Sequence, residues 1–163
     1  MLLACTKSTD SPDRTMLTLD QASTIVDSAL SHGRRAAFKP LCIVVLDAGG
    51  HVLALKRDEQ ASLFRPQIAT AKAAGCLGLG FGGRDIAQRA QGNPAFYAAL
   101  AGILPSGLVP VAGGVLIRDT HGALLGAVGV TGDNSDNDEA CALAGIRAAG
   151  LVADTGAPAA GKA

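Results

Sequence analysis

Apolar residues along the chain change from helical to strand spacing and back in a definite order. Thr18, followed three residues later by Gln21, has the pattern of a helix-capping box, and the apolar residues after it recur at helical spacing until Gly33. The continuous apolar run at 41–46 predicts a buried strand, and the run at 51–56, beyond an Asp-Ala-Gly-Gly turn, predicts a second one. We therefore expect a helix followed by an antiparallel hairpin.

The remainder of the chain repeats these two kinds of pattern. Helical spacing returns over 63–79, and shorter helical pieces, interrupted by glycine and proline, are predicted over 90–104. Three further strands and a final Ala-rich helix are predicted at 108–111, 114–118, 124–130 and 138–152. Because strands joined by tight turns pair antiparallel, the predicted fold is α+β, with a single antiparallel sheet of about five strands covered by helices.

Two predicted hairpins resemble each other. Residues 43–55 and 114–128 each place an Asp at the turn entry, a Gly within the turn and aliphatic residues after it, which is a weak internal pseudo-symmetry. The domain is expected to cover 17–155, with a flexible leader over 1–16 and a flexible tail over 156–163.

The charge balance argues against several classes of partner. The chain of 163 residues carries 14 basic and 14 acidic side chains, so it has no basic footprint for nucleic acid or an anionic membrane surface. With one Tyr, four Phe and no Trp, it also lacks a stacking platform for single strands. No apolar run approaches the ~20 residues that span a bilayer. We expect neither a nucleic-acid nor a membrane partner.

Composition favours self-association instead. Charged residues make up 17% of the chain, against a usual ~25%, and 21 residues are glycine. A small domain has a large surface for its volume and needs polar residues to cover it. We therefore expect part of the surface to meet another copy of the chain in a homo-oligomer.

The four cysteines are far apart and form no zinc-ligand pattern, so no metal site is predicted. Cysteines of this kind are typically buried thiols of a reducing compartment, which predicts a cytoplasmic location. The opening residues, MLLAC, resemble the end of a lipoprotein signal but lack its charged start and apolar stretch. A truncated lipoprotein or export signal at Met1–Cys5 is the alternative.

Two motif-like runs are better explained by local structure. GLGFGG at 78–83 matches the dinucleotide-binding glycine pattern, but a helical segment precedes it where that motif needs a strand, so a glycine loop ending a helix is expected. The acidic run at 133–139 lacks the Gly and the Glu that a calcium loop needs at fixed positions. Its Asp133 and Ser135 are expected to cap the final helix.

The residue with the most functional weight is Lys72. It lies on an apolar stripe of the 63–79 helix that also contains Phe64, so its ammonium either extends to water or needs a carboxylate partner. In a site it would serve as an anion-binding charge or as an amine whose pKa is lowered by burial. Asp138 and Glu139, at the start of the last helix, are the acidic side chains expected to reach the end of the sheet.

Two glycines and one arginine are weaker candidates. Gly113 and Gly114 enter a predicted strand, where adjacent glycines either allow a ligand or another backbone to approach closely or form a bulge. Arg57 follows the second predicted strand, where a solvated loop tip is the ordinary explanation. The chain contains neither G-x-S-x-G nor H-E-x-x-H, so nothing supports nucleophilic or zinc-dependent hydrolysis.

Five motifs, in this order, resemble the GlcG/HbpS-like family of haem-binding and haem-degrading proteins, which includes the C-terminal domain of PduO-type proteins. They are LDAGGHVLALKRD (46–58), IATAKA (68–73), VAGGVLI (111–117), LLGAVGVTG (124–132) and DNDEACALAGI (136–146). The resemblance implies a profilin-like α+β fold with a five-stranded antiparallel sheet. It also implies homo-oligomers with ligand sites near subunit interfaces.

The resemblance also assigns positions to family motifs. Lys72 matches the family's helix lysine, Gly113 and Gly114 match its glycine pair, and Asp138 matches the acidic residue that opens the last helix. Leu116 stands where the family usually has Pro, and Gly75-Cys76 stands where it usually has Thr-Ala. No axial haem ligand can be carried over, and the available side chains are His32, His51, His121 and Tyr97.

Two functions follow as hypotheses. In the first, haem or a related tetrapyrrole binds in an apolar crevice between the 64–79 helix and the Gly113–Gly114 strand, where Lys72 and Arg57 neutralise a propionate and any haem breakdown is slow and driven by iron. In the second, the chain is an enzyme or accessory protein of a catabolic pathway acting on a small carboxylate or oxo metabolite, with Lys72 and Asp138 or Glu139 as its polar groups. A broad apolar slot favours the first, and a small polar pocket around Lys72 favours the second. A structural oligomer without a small ligand is the third possibility.

Overall fold

The computed structural model describes residues 16–156, which form five helices and five strands. The predicted leader and tail, like Cys5, lie outside this part of the chain, apart from Met16 and Gly156. The elements are α1 (Leu19–Arg35), β1 (Cys42–Asp47), β2 (Val52–Arg57), α2 (Arg65–Leu79), α3 (Gly83–Gly92), α4 (Pro94–Ile103), β3 (Gly114–Arg118), β4 (Leu124–Thr131), α5 (Ser135–Ala148) and β5 (Val152–Asp154). Within 16–156, no helix is long and apolar enough to cross a bilayer.

The strands form one sheet in the order β2-β1-β4-β3-β5, and every neighbouring pair is antiparallel. This confirms the α+β prediction of a single five-stranded antiparallel sheet covered by helices. Helices α1 and α5 pack together on one face of the sheet, and α2 covers the other face. Helices α3 and α4 follow α2 on that second face.

The alternation of side chains along β1 divides the core into two layers. Ile43 and Val45 point towards α1 and α5, whereas Val44 and Leu46 point towards α2, and all four are fully buried. A strand that is buried on both faces is uniformly apolar, which is why this segment reads as a continuous hydrophobic run.

The two hairpins use the same turn chemistry. In the first, Asp47 Oδ1 accepts the backbone N–H groups of Gly49 and His51 at 2.8 and 2.9 Å. In the second, Asp119 Oδ1 accepts the N–H groups two and four residues later, both at 2.8 Å. An Asp at the turn entry thus replaces missing backbone partners in both hairpins, as the repeated pattern predicts.

Two predicted elements in the second half of the chain differ from the structure. Residues 108–111 are not a strand, because Pro110 lacks the N–H that a ladder needs and no other strand pairs with the segment. The fifth strand is β5, which was not predicted; its first residue, Val152, was expected to end the final helix. That helix ends earlier because Gly150 adopts φ 72°, a left-handed conformation that terminates helices.

The sequence predicted the N-terminal cap of the first helix correctly but not that of the last helix. The Thr18–Gln21 capping box is present, but α1 continues through Gly33, where a Cβ would lie 2.5 Å from Leu41 Cδ1. At α5 the cap is Asn134, whose side chain accepts the Asn137 N–H at 2.9 Å. Neither residue that was predicted to cap α5 is its N-cap. The Asp133 side chain accepts the Lys39 N–H at 2.7 Å, and Ser135 is the first residue of the helix.

Glycines bring α2 into direct backbone contact with the sheet. A Cβ on Gly129 of β4 would lie 1.9 Å from the Ala69 carbonyl oxygen, and a Cβ on Gly114 of β3 would lie 2.7 Å from the Lys72 carbonyl oxygen. Both distances would be far shorter than van der Waals separation, and the oxygens belong to backbone that cannot rotate away. The depth of α2 against β3 and β4 therefore depends on residues without side chains.

We predict that Gly129→Ala destabilises the protein by about 1–3 kcal/mol or more, because the added methyl group overlaps the α2 backbone. Gly78→Ala is the matched control, because a Cβ at this exposed position of α2 meets no other atom. That change should be neutral or stabilise by up to ~1 kcal/mol. Denaturant unfolding measures both, and equal stabilities would contradict the close packing of α2.

Candidate functional site

Lys72 and Asp138 form a buried ion pair. Lys72 Nζ donates to Asp138 Oδ2 and to the Val130 carbonyl oxygen, both at 2.9 Å. The two side chains are only 3% and 2% exposed. Asp138 Oδ1 also accepts the Asp133 N–H at 3.1 Å, so both carboxylate oxygens are hydrogen-bonded. The pair joins α2, on one face of the sheet, to α5, on the other face.

The ion pair passes around the end of β3 at Gly113. A Cβ on Gly113 would lie 2.8 Å from Lys72 Nζ and 2.9 Å from Asp138 Cβ. The residue also has φ 107°, a backbone conformation that side-chain-bearing residues rarely adopt. Glycine is therefore required at this position both by the space beside the ammonium and by the backbone.

Burial dominates the electrostatics of the pair. Burial lowers the pKa of Lys72, and the charge and hydrogen bond of Asp138 offset only part of this effect. Burial likewise raises the pKa of Asp138 against the opposing effect of Lys72. Burial therefore opposes the charged form of both groups, and each charge is compensated mainly by the other.

The crevice predicted between α2 and the glycine strand is not present. Gly114 lies directly against the Lys72 carbonyl oxygen, so α2 leaves no space on β3 for a macrocycle. Phe64 is the N-cap residue of α2 and is 64% exposed, away from this contact. Arg57 donates to the backbone carbonyls of Glu59 and Ala61 at the end of β2. The structure thus brings Lys72, Asp138 and the glycine pair together, but neither Phe64 nor Arg57.

Glu139 belongs to a second ionic cluster beside the first. Arg84, at the start of α3, donates through Nε and Nη2 to Glu139 Oε1 at 3.0 and 2.9 Å, and through Nη2 to Asp136 Oδ1 at 2.6 Å. Hydrogen bonds to Glu139 and then to Asp136 raise the pKa of the guanidinium. The Glu139 side chain is 10% exposed, whereas those of Arg84 and Asp136 are 43% and 80% exposed. Arg84 therefore has one enclosed partner, Glu139, and one exposed partner, Asp136, whose hydrogen bond water can replace.

Arg84 and Asp136 form the polar end of a cleft of about 660 Å³, which we call the α3–α4 cleft. Its walls are the facing sides of α3 and α4 and the irregular segment 108–112. Small or apolar side chains line most of it, among them Ala87, Ala90, Ala98, Ala101, Leu108 and Pro110. Tyr97 also lines the cleft.

The sequence did not predict this cleft. Its apolar pattern at 108–111 suggested a strand, although the segment is a wall of the cleft, and nothing in it pointed to Arg84. The cleft alanines are spaced three residues apart in each helix, but alanines at this spacing resemble ordinary packing residues. Arg84 lies directly after the glycine run, and its carboxylate partners are more than 50 residues away in the chain.

Comparison with known proteins identifies the family. A family model described as "Haem degrading protein HbpS-like" matches residues 17–147, most of the chain. The chain belongs to the HbpS-like family. No curated protein sequence matches it significantly.

Solved structures agree with this assignment. The crystal structure of HbpS is 25% identical, with a TM-score of 0.71 over 88% of this chain and 97% of that one. The crystal structure of a PduOC–haem complex is 21% identical, with a TM-score of 0.75 over 84% and 97% of the two chains. The protein ORFY of Klebsiella pneumoniae is 21% identical, with a TM-score of 0.74 over 88% and 98%. The HbpS-like chain thus shares its fold along nearly the full length of these proteins.

We predict that Lys72→Met destabilises the protein by about 3–5 kcal/mol, because it leaves the enclosed Asp138 carboxylate without its partner. Lys56→Met is the matched control, since Lys56 pairs with Asp27 where both side chains are more than half exposed, and should cost about 0–1 kcal/mol. The double variant Lys72→Met/Asp138→Leu should recover much of the loss. Denaturant unfolding of the four proteins measures this, and equal effects of the two single changes would contradict the account.

The cost of Lys72→Met should also depend on pH. Without the ammonium, the pKa of Asp138 rises further above its unfolded value. A group with a raised folded pKa contributes stability below its unfolded pKa and loses it as the pH rises through the folded pKa. The variant should therefore be closest to the wild type in mild acid and furthest from it at neutral pH.

Proposed function

We propose that this HbpS-like protein binds haem or a closely related tetrapyrrole in the α3–α4 cleft. The observation that carries the proposal is a broad, mainly apolar cleft with a guanidinium at one end. Membership of the HbpS-like family supports it, as does the shared fold with PduOC, whose crystal structure contains haem. This location replaces the crevice on α2 that the sequence suggested.

The size and lining of the cleft fit such a ligand. Its volume of about 660 Å³ falls in the range of ~300–1,000 Å³ that is usual for small-ligand sites. Because half of the wall residues are alanines or prolines, the cleft is wide, and a flat apolar ligand could remove much of its lining from water. A small carboxylate would leave most of this apolar surface uncovered.

Arg84 is the group best placed to receive a propionate. Its guanidinium is held by Glu139, so it keeps its position and charge when its other partner leaves. The other partner, Asp136, is 80% exposed and can turn into solvent. A propionate could then take its place, since guanidinium groups bind carboxylates through paired hydrogen bonds. Arg84 therefore assumes the role that the sequence suggested for Lys72 and Arg57.

The enclosed ion pair supports this choice over a metabolite enzyme. Lys72 and Asp138 are satisfied by each other and by backbone groups, with side chains 3% and 2% exposed, so a small substrate would have to displace packed structure to reach them. In the proposed function the pair fixes the fold beside the cleft. The iron of bound haem supplies any oxidative breakdown of the macrocycle, and the protein supplies binding and orientation.

Self-association is part of the proposal. Helix α4 contains no fully buried residue although it is strongly apolar, with Phe96 54% and Ile103 75% exposed. Apolar helix surface of this kind is typical of contacts between subunits. A second copy covering α4 would also enclose the cleft, one wall of which is α4.

A reducing, cytoplasmic location is proposed on the basis of the thiols. Cys42, Cys76 and Cys141 are buried and unpaired. Burial raises the pKa of Cys42 to about 11 and that of Cys76 and Cys141 to about 12, so the thiolate that starts oxidation is scarce.

Haem titration of the purified protein, followed by Soret absorbance, tests the proposed site. We expect a saturable, shifted band, and we expect Ala98→Trp, which fills the cleft, to weaken binding at least about tenfold. Ala99→Trp is the matched control, because Ala99 is exposed on the same helix and does not line the cleft. A non-saturating change in the wild type, or equal effects of the two variants, would contradict the proposal.

Light scattering after gel filtration tests self-association. The wild type should have a mass that is a multiple of the chain's 16.3 kDa, and Ile103→Glu should shift it towards the monomer, because a carboxylate cannot be buried without a partner. Thr120→Glu adds the same charge in the exposed β3–β4 turn and should leave the mass unchanged. A monomeric wild type would refute this prediction.

A further inference from the structure

The α3–α4 cleft contains one side chain of a kind that ligates haem iron. Proteins hold this iron through His, Cys, Met or Tyr. Among the residues that line the cleft, Tyr97 alone is of one of these types. Of the four candidate iron ligands that the sequence left open, the structure therefore places only Tyr97 in the cleft.

The three histidines have other surroundings. His32, in α1, packs edge-on against Phe38 with 6.2 Å between ring centroids. His51 lies in the β1–β2 turn with Nδ1 3.3 Å from Asp47 Oδ1. His121 lies in the exposed β3–β4 turn. All three belong to elements that form no wall of the cleft.

The phenol of Tyr97 is held in place but its oxygen is free. The ring packs edge-to-face against Phe96, with centroids 5.4 Å apart, and against the core on the α2 side of the sheet. Within residues 16–156 the hydroxyl has no hydrogen-bond partner. In the same part of the chain, every side-chain oxygen that is enclosed in a partly or fully buried residue does have a partner. The Tyr97 hydroxyl is therefore accessible.

A cation lies within electrostatic reach of this oxygen. Arg89, one helix away on α3, is held over the Phe81 ring at 3.9 Å and by Asp85 at 2.8 Å. Its pKa is raised mainly by the hydrogen bond to Asp85, with a smaller contribution from the charge of an ionised Tyr97. Arg89 therefore places positive charge near the Tyr97 oxygen.

We infer that Tyr97 provides the axial ligand of ferric haem in the α3–α4 cleft, an inference that rests on the proposed function. On binding, the phenolic O–H bond breaks and the proton passes to solvent. A lone pair of the phenolate oxygen then forms the bond to iron, which stays ferric, so no electron donor or acceptor is needed. Because the ligand is an anion, it favours ferric over ferrous iron, and reduction should weaken binding.

Resonance Raman and absorbance spectra of the ferric-haem complex test this role. Tyr97 is the only tyrosine in the chain, so iron-phenolate bands in the wild type can arise from no other residue. Tyr97→Phe removes the oxygen alone and should abolish those bands and weaken haem binding about tenfold or more. Tyr97→His should replace them with a histidine-ligated spectrum.

A swapped variant, Phe96→Tyr/Tyr97→Phe, is the matched control, because it keeps the composition and moves the phenol to the neighbouring position, whose side chain does not line the cleft. It should behave like Tyr97→Phe. Saturable binding with identical spectra in the wild type and Tyr97→Phe would overturn the assignment of Tyr97 and leave the proposed haem site intact. Absence of saturable binding in the wild type would overturn both.

Discussion

The buried ion pair between Lys72 and Asp138 is the interaction on which the arrangement of the helices depends. It connects the two faces of the sheet around the end of β3, and it fits only because Gly113 has no side chain. Burial shifts both pKa values against the charged forms, so each charge depends on the other for compensation. The importance of the pair lies in specificity, since any displacement of α2 relative to α5 leaves two buried charges unpaired.

This constraint explains where ligand space exists in the molecule. Since α2 lies on the sheet at backbone distance over Gly114 and Gly129, the centre of the fold has no room for a ligand. The α3–α4 cleft lies further out, where α3 and α4 follow α2 and meet the 108–112 segment. Arg84 connects this outer region to α5 through Glu139, so the polar end of the cleft is anchored to the same helix as the ion pair.

The sequence predicted the parts of the fold that depend on local patterns. The β1–β2 hairpin, the Thr18 cap and the helical stripe containing Lys72 are each encoded within a few neighbouring residues. It failed at 108–111 and did not predict β5, because short segments become strands or loops according to their partners rather than their own composition. For Lys72 the sequence left two arrangements open, extension of the ammonium to water or a carboxylate partner. The closure of the expected crevice was not predictable, because it depends on contacts between residues more than 40 positions apart. The cleft was missed for the same reason, since its walls come from separate parts of the chain.

A crystal structure of the protein with ferric haem, in which anomalous scattering locates the iron, tests the central claim most directly. The account predicts an iron peak in the α3–α4 cleft beside the Tyr97 oxygen, a propionate on Arg84, and an unchanged bond between Lys72 and Asp138. An iron peak outside this cleft, or a haem propionate held by a Lys72 that has left Asp138, would contradict it.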